Sequence, residues 1–324
     1  MIDLPSLAQL DAAAQTVYAV MPPTPQYRWP LLCEALGTEV WVKHENHTPV
    51  GAFKVRGGLV YFRDLAGGAQ RSAGVVSATR GNHGQSIALA AARHRIASTI
   101  VVPRGNSVEK NAAMRALGAT LVEHGDDFQA AREHAARLAQ DNGWHMVPSF
   151  HPLLVRGVGT YSLELLRAAP DLDTLYVPIG LGSGICGMIA AREALGLKTT
   201  IVGVVSSHAP AYSRSFAQHK AVSHPVTTMI GDGMACSTPE QPALEWIWRY
   251  VERIVEVSDD ELREAMRLLF RATHNVAEGA GAAGLAAAWQ ERERLRGRKV
   301  GVVLSGGNVD SEVFARVLTG QTGT

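Results

Sequence analysis

Strand and helix patterns alternate along almost the whole chain, and this alternation limits the possible folds more than any other feature. Short runs rich in Val, Ile and Thr predict strands at 39–45, 74–79, 98–103, 119–124, 174–179, 199–205 and 299–305. Helical patterns lie between several of these strands, at 54–66, 83–93, 108–117 and 126–141. Because the strands are almost continuously apolar and are joined by helices, we expect parallel sheets covered by helices on both faces.

The predicted strands form two groups, one before about residue 125 and one after about residue 173, so we expect two sheets rather than one. With 324 residues, the chain is long enough for two domains, each with a core of its own. Ser258 and Glu261 have the spacing of a capping box, which predicts the start of an amphipathic helix. The stretch 207–245 has the least regular pattern, and we expect it to consist mainly of loops.

Charge and composition argue against several classes of protein. The net charge is +1 and the basic residues are scattered, so we expect no binding to nucleic acid or to a membrane surface. No stretch approaches about 18 consecutive apolar residues, and the first residues lack the pattern of a secretion signal, so we expect a cytoplasmic protein without a membrane-spanning helix. The cysteines Cys33, Cys186 and Cys236 are odd in number and far apart, which favours reduced thiols over disulfides or a zinc site.

Lys54 is the first residue whose chemistry stands out. It lies between Phe53 and Val55 in the glycine-punctuated run 43–58, where a helix is predicted to begin. Partial burial would lower the pKa of this lysine and leave a free amine, the form that condenses with an aldehyde. A lysine whose stem lies over apolar surface with its charge in water is the commoner case. The glycine-rich loop at 177–187 and the turn LSGGN at 304–308 favour the chemical interpretation.

The glycine-rich loop admits two interpretations. Gly182, Gly184 and Gly187 have the spacing of a dinucleotide-binding motif between a strand and a helix. That motif requires an acidic residue about 20 positions later, at the end of the next strand. The strand predicted at 199–205 is followed by two serines and a histidine instead, which disfavours a nicotinamide cofactor. The other interpretation is a phosphate held by backbone N–H groups at the start of a helix.

Together with SATRGNHGQS at 77–86, these segments resemble the serine/threonine dehydratase family of pyridoxal-phosphate enzymes, which shares the fold of the tryptophan synthase β chain (fold type II). The resemblance extends from Thr24 to Asn308. It implies pyridoxal 5'-phosphate as cofactor and a small amino acid as substrate. It also implies an α/β fold of two domains, each a mostly parallel sheet covered by helices, with the cofactor in the cleft between them. A smaller domain at 46–149 would be inserted into a larger one formed by 1–45 and 150–324.

The resemblance assigns roles to individual residues. Lys54 would hold the cofactor and remove the α proton of the substrate, Asn82 would bind the cofactor's 3'-oxygen, and Ser305 would meet the ring nitrogen. Phe53 would pack near the cofactor. The phosphate would lie on the loop Gly180, Leu181, Gly182, Ser183 and Gly184, and the substrate carboxylate on the turn Thr79, Arg80, Gly81, Asn82 and His83. The family more often has four glycines in the phosphate loop, so Leu181 and Ser183 are departures, although neither removes an amide.

Three further positions bear on the chemistry. A hydroxyl at Ser305, where other pyridoxal enzymes have a carboxylate, would leave the ring nitrogen unprotonated and favour prompt β-elimination; considered alone, Ser305 also fits an ordinary turn serine. The segment GDGMA at 231–235 would line the cofactor face that points away from the lysine. Glu278 would lie near the edge of the ring, or would equally serve as a carboxylate at a helix N-terminus.

The sequence departs from the family at several positions. Relatives bind a divalent cation through carboxylates where this chain has Val205 and Ala211, so we expect no metal site. The regulatory domain of biosynthetic threonine dehydratases is missing, which favours a catabolic enzyme. Arg80 replaces the serine of racemases and the small residue of threonine dehydratases, and Ala52 stands where serine is usual. These changes suggest the phenylserine dehydratase branch or enzymes of hydroxyaspartate or hydroxyectoine breakdown.

We therefore expect a dehydratase that converts a β-hydroxy-α-amino acid, similar to phenylserine, threonine or serine, into a 2-oxo acid and ammonia. An amino-acid racemase is an alternative that Arg80 disfavours. A β-replacing synthase of the cysteine synthase kind and a non-enzymatic nucleotide-binding protein are further alternatives. The preferred substrate and its stereochemistry, the binding of a monovalent cation and the oligomeric state, for which a homodimer is our working expectation, stay open at this point.

Overall fold

The computed structural model of the chain describes residues 3–68 and 73–321. Its helices are α1 Leu7–Tyr18, α2 Pro30–Leu36, α3 Lys54–Gly67, α4 Asn82–Arg93, α5 Val108–Ala116, α6 Phe128–Asn142, α7 Pro152–Ala168, α8 Ser183–Ala194, α9 Ala211–Gln218, α10 Gln241–Tyr250, α11 Asp259–Thr273, α12 Gly279–Gln290 and α13 Ser311–Thr319. Its strands are β1 Gln26–Arg28, β2 Glu39–His44, β3 Gly74–Ala78, β4 Ala97–Val102, β5 Thr120–Glu123, β6 His145–Met146, β7 Thr174–Pro178, β8 Thr200–Ser206, β9 Arg253–Val257 and β10 Lys299–Leu304. None of the described helices is long and apolar enough to cross a membrane.

The strands form two sheets, as predicted. The larger sheet has the order β1-β2-β10-β7-β8-β9 and is parallel except for β1, which runs antiparallel to β2. The smaller sheet has the order β5-β4-β3-β6 and is parallel throughout. All strands of the smaller sheet lie within 46–149 and all strands of the larger sheet lie outside it, while the domain boundaries themselves stay a prediction.

Each sheet is covered on both faces because its strands are apolar at successive positions. In β7, Leu175 and Val177 belong to one apolar core and Tyr176, between them, belongs to the core on the opposite face. In β3, Val75 and Val76 divide in the same way between the two cores of the smaller sheet. Side chains of a strand alternate between its faces, so a continuous apolar run buries both.

Three helices cross with their backbones almost in contact. An added Cβ at Gly57 of α3 would lie 2.9 Å from the carbonyl oxygen of Leu154, at the start of α7. An added Cβ at Gly187 of α8 would lie 2.9 Å from the amide nitrogen of Gly159 in α7. Gly157 of α7 likewise faces the backbone of α3. Helix α7 therefore approaches α3 and α8 with backbone against backbone at these glycines.

The capping box at the start of α11 is confirmed, because Ser258 Oγ accepts a hydrogen bond from the Glu261 amide at 3.2 Å and the Glu261 carboxylate accepts one from the Ser258 amide at 2.7 Å. The expectation that 207–245 is rich in loops is confirmed for 219–240, whose described residues form one short turn, Asp232–Met234, while α9 and the first residues of α10 lie near the two ends of the stretch. In α9 the polar sequence conceals a buried side, formed by Tyr212 and Ser215.

Candidate active site

The predicted site residues all border one cleft between the two sheets. Its inner part is lined by Phe53, Lys54, Asn82, Gly180, Leu181, Gly182, Ser183, Gly184, Glu278 and Ser305. Its outer part is lined by Thr79, Arg80, Gly81, His83, Lys110, Asp232 and Cys236, among others. They meet because α3, α4 and the loops after β7 and β10 start where parallel strands end, and these ends share one edge of each sheet.

Lys54 is the first residue of α3, and the chain before it is fastened to the turn after β10. The Phe53 amide donates to the Ser305 carbonyl oxygen at 3.0 Å, and Ser86 Oγ donates to the Lys54 carbonyl oxygen at 2.7 Å. The Lys54 amine lies 4.8 Å from the centre of the Phe53 ring. Burial lowers the pKa of Lys54, and the carboxylate of Glu278 opposes that shift only in part. The amine is thus placed to act in its uncharged form.

The loop 180–184 presents unpaired backbone N–H groups. Within the described residues, no amide from 180 to 185 donates to a protein acceptor. Gly182 has a left-handed φ of 100°, and an added Cβ there would lie 2.6 Å from the Ala243 side chain. Tyr212 fixes the loop from outside by donating its hydroxyl to the Leu181 carbonyl oxygen at 3.0 Å. Because the loop opens α8, these amides and the helix dipole together suit an anion such as a phosphate.

Asn82 and Glu278 are linked at the centre of the cleft. Asn82 Nδ2 donates to Glu278 Oε1 at 2.6 Å, and Asn82 Oδ1 accepts from Asn308 Nδ2 at 2.9 Å. The second oxygen of Glu278 accepts from Lys110 Nζ at 3.2 Å, and Asp232 lies 3.9 Å from the same amine. We call Lys54, Asn82, Lys110, Asp232 and Glu278 the cleft cluster.

The turn before α4 forms the outer wall. The Gly81 amide donates to Thr79 Oγ1 at 3.0 Å, which shapes the turn. Arg80 is exposed at the mouth of the cleft. Burial, followed by the charge of Lys54, lowers the pKa of His83 to about 3, and His83 Nε2 has no hydrogen-bond partner within the described residues. His83 is therefore neutral at physiological pH.

Ser305 is buried beneath the inner part of the cleft. Its hydroxyl makes one long contact, 3.4 Å to the Ala280 carbonyl oxygen, and is otherwise available to a group in the cleft. The expected metal ligands are replaced by buried apolar residues, Val205 and Ala211. In the described part of the chain, no group of three or more His, Cys, Asp or Glu side chains is arranged to hold a metal ion. The lack of a metal site stays a prediction.

A second group of buried charges lies behind α3. Arg56 Nε donates to Glu45 Oε2 at 2.7 Å, and Arg56 Nη1 donates to Glu164 Oε1 at 2.6 Å. Lys43 Nζ lies 2.6 Å from the other oxygen of Glu164. We call Lys43, Glu45, Arg56 and Glu164 the interior cluster. All four side chains are almost inaccessible to solvent.

The sequence did not point to Lys110 or to the interior cluster. Lys110 lies in a predicted helix whose pattern carries no chemical motif. Lys43 and Glu45 end an apolar strand, and Arg56 lies two residues after Lys54. Charges at such apolar positions were the available signal, since charged residues are almost never fully buried unless they are paired.

Comparison with known proteins gives consistent matches over nearly the full length. A family model described as pyridoxal-phosphate dependent enzyme matches residues 18–306. An L-threonine ammonia-lyase from Thermotoga maritima is 33% identical over 314 residues, covering 97% of this chain and 78% of the relative. An L-threo-3-hydroxyaspartate ammonia-lyase from a Pseudomonas species is 35% identical over 324 residues, covering 98% of this chain and 100% of the relative.

The solved structures that resemble this chain include an enzyme with a different activity. Serine racemase from maize superimposes with a TM-score of 0.89 and 26% identity, and the match covers 98% of each chain. The overall fold therefore does not by itself separate elimination from racemisation, and the residues of the cleft must decide between them.

Proposed function

Since the chain belongs to the pyridoxal-phosphate dependent enzyme family, we propose that it is an ammonia-lyase that dehydrates β-hydroxy-α-amino acids to 2-oxo acids and ammonia. One observation carries this proposal. The buried amine of Lys54 shares a cleft with the unpaired amides of 180–184 and the free hydroxyl of Ser305. An amine, an anion site and a hydroxyl match the aldehyde, the phosphate and the ring nitrogen of pyridoxal phosphate.

Pyridoxal phosphate fits these residues. The amides of 180–184 would hold its phosphate, Asn82 would bind its 3'-oxygen, and Ser305 would contact its ring nitrogen. When bound, the cofactor supplies a sink for the charge that remains after the α proton is removed. A hydroxyl at Ser305 favours a shallow sink, from which the β substituent leaves promptly.

Lys54 would act as the general base. Burial lowers its pKa and so favours the uncharged amine, the form that can accept the α proton. The amides of the turn 79–83, at the start of α4, would hold the substrate carboxylate. His83 has a pKa of about 3 and burial raises the pKa of Cys236 to about 12, so neither suits the protonation of a leaving hydroxide. Lys54, once it has taken the α proton, would deliver that proton to the β oxygen.

A racemase is the second candidate, supported by the structural similarity to maize serine racemase. Racemisation needs a second group that returns a proton to the opposite face of the α carbon. Arg80 occupies the position that matches the serine of racemases, and a guanidinium stays charged at any ordinary pH and does not transfer its proton. Arg80 therefore favours elimination.

Arg80 also bears on the choice of substrate. Its exposed guanidinium borders the outer part of the cleft, beyond the turn 79–83. A guanidinium pairs with a carboxylate and also stacks on an aromatic ring. We therefore propose substrates with side chains larger than that of threonine, with 3-hydroxyaspartate and phenylserine as the two chemical types. One relative is named as an ammonia-lyase for the former.

A substrate panel tests the reaction. Purified protein loaded with pyridoxal phosphate would receive serine, threonine, threo-3-hydroxyaspartate and phenylserine, each as separate stereoisomers. We expect a 2-oxo acid and ammonia in equal amounts from at least one of them. If no substrate yields a 2-oxo acid and the opposite stereoisomer forms instead, the proposal is contradicted and the protein is a racemase. A homodimer and a cytoplasmic location are also proposals, and light scattering after gel filtration tests the first.

A further inference from the structure

Lys110 is buried in the cleft although no sequence motif points to it. Only 7% of Lys110 is exposed, and 6% of Glu278. Burial alone would lower the pKa of Lys110, but Glu278 and Asp232 outweigh that effect and raise it, so Lys110 carries its positive charge in the cleft. Lys110 lies on α5, beside the smaller sheet, whereas Glu278 precedes α12 beside the larger sheet. The pair therefore connects the two walls of the cleft.

The surroundings leave space for this pair. The stem of Lys110 passes against Gly81, where any Cβ would overlap its Cδ atom. An added Cβ at Gly306 would lie 2.5 Å from Glu278 Oε1 and 3.3 Å from Asn82 Nδ2. Larger residues at Gly81 or Gly306 would displace the lysine or the carboxylate. The contact thus depends on two glycines in two segments that border the cofactor site.

If its charge were not offset, Glu278 would favour the protonated form of Lys54. Among the charged and titratable groups that face the cleft with Lys54 are His83 on α4, Lys110 on α5, Arg80 at the mouth, Asp232 in the turn Asp232–Met234, Cys236 and Glu278. Of these, Glu278 is the one whose charge favours a protonated Lys54. A nearby negative charge stabilises an ammonium group.

We propose that Lys110 is a positioning residue that holds the Glu278 carboxylate and offsets its charge, so that Glu278 orients Asn82 without returning a proton to Lys54. This inference rests on the proposed role of Lys54 as the cofactor lysine. One oxygen of Glu278 is then committed to Asn82 and the other to Lys110. Removal of the Lys110 charge would leave that carboxylate without its ion-pair partner, and its negative charge would then favour the protonated form of Lys54 more strongly.

The test is the rate at which cofactor-free full-length protein takes up pyridoxal phosphate between pH 6 and 10, followed by absorbance. Only the uncharged lysine reacts, so the midpoint of the rate profile reports its protonation. In Lys110→Met we expect the midpoint to rise by about one pH unit, and uptake at pH values well below the wild-type midpoint to slow about tenfold, the factor that corresponds to one unit of pKa. Lys110→Arg, which keeps the charge, should restore the wild-type midpoint.

Matched variants make the result specific. In an E278Q background, K110M should give no further rise of the midpoint, because the carboxylate through which Lys110 acts is gone. The surface variant Lys299→Met should match wild type. Lys110→Gln replaces the methionine variant if the latter does not fold. An unchanged midpoint in a folded Lys110→Met or Lys110→Gln protein, or a full shift in the E278Q background, would overturn the inference. A wild-type protein that takes up no pyridoxal phosphate would instead overturn the proposed function.

Discussion

The cleft cluster and the interior cluster lie on opposite sides of the first turn of α3, and both bury charge. Arg56 in the interior cluster donates to Glu45 and Glu164, and Lys43 completes the charge balance. Lys54, two residues earlier, has no ion pair within the described residues. One helix start therefore carries a fully paired cation and an unpaired one.

The difference follows from the chemistry of the two side chains. A guanidinium cannot lose its proton in a protein, so a buried arginine requires carboxylate partners. A lysine can become neutral instead, and burial then prepares its amine for reaction. The pairing of Arg56 thus suits a structural role, whereas the lack of an ion pair at Lys54 suits its proposed role as the reactive amine.

The largest effect should come from replacing Lys54, the lysine without an ion pair. Lys54→Met should lower turnover by at least about 10²–10⁴-fold, the usual contribution of a general base. It should also abolish the adduct that borohydride traps on the cofactor-loaded protein, because no amine remains to hold it. Urea unfolding of cofactor-free protein should show no loss of stability, since no ion pair is broken. A trapped adduct at another lysine would refute the assignment of Lys54.

Breaking the interior cluster should instead lower the free energy of unfolding. Glu45→Gln leaves Arg56 with one carboxylate fewer, and loss of a partner from a buried pair costs about 3–5 kcal/mol. Urea unfolding at pH 7 measures this loss. Asp171→Asn, at the exposed pair with Lys299, is the control and should leave the free energy of unfolding unchanged. Equal stability of Glu45→Gln and wild type would show that the interior cluster is not structural.

His83, in the wall of the cleft, and Glu164, in the interior cluster, should also respond to acid in different ranges. His83 has a folded-state pKa of about 3 and an ordinary value of 6.5, so the unfolded chain binds an extra proton between these values. Its contribution to stability is complete above about pH 6.5 and is lost as the pH falls toward 3, at up to about 1.4 kcal/mol per pH unit.

In the interior cluster, burial opposes ionisation of Glu164, but Arg56 and Lys43 outweigh it and lower its pKa. Its contribution is therefore retained down to the ordinary carboxylate range and is lost below it. Urea unfolding of wild type and His83→Gln between pH 7 and 5 separates the contribution of His83 from that of Glu164. We expect a shallower pH dependence in the variant, and identical slopes would contradict the neutral state of His83.

A smaller effect is expected at the mouth of the cleft. Arg80→Gln should lower kcat/KM for a substrate with a larger side chain about tenfold relative to threonine, because one charged contact of about 1.5 kcal/mol is lost. Wild type should release negligible D-isomer from an L-substrate. A uniform rise of KM for all substrates would assign Arg80 to the α-carboxylate instead, and threonine as the best wild-type substrate would refute the size preference.

No effect is expected from chelation. Val205 and Ala211 replace the carboxylates that would bind a divalent cation. Treatment with EDTA should change neither turnover nor melting temperature. A loss that Mg²⁺ restores would reveal a cation site at other residues.

The predictability of the two regions from sequence differs for a physical reason. The main strands follow from local patterns, because short runs of β-branched residues favour strands. The segments around Lys54, Asn82, the loop 180–184 and Ser305 were identified by their resemblance to a known family. Helix α12 is apolar all round and shows no helical period. Strand β1 has three residues and strand β6 two, which is too short for a pattern.

The contacts within the two clusters could not be predicted from local sequence patterns. Lys110 meets Glu278 across 168 positions of sequence, and Arg56 meets Glu164 across 108. Such pairs depend on how the sheets pack against each other, which no local pattern records. A single charged residue in an apolar run indicates that a partner exists but does not identify it.

The backbone crossings of α3, α7 and α8 have a consequence for the evolution of this site. Lys54 opens α3 and the loop 180–184 leads into α8, while Gly57, Gly157 and Gly187 let the backbones of these helices approach the backbone of α7 closely. The distance between the Lys54 amine and the loop 180–184 is therefore set by contacts between peptide groups. Substitutions of side chains elsewhere should change this distance little. The mouth of the cleft around Arg80 consists of turns and exposed side chains. Its residues can therefore change during evolution, and substrate preference with them, while the distance between Lys54 and the loop 180–184 is kept.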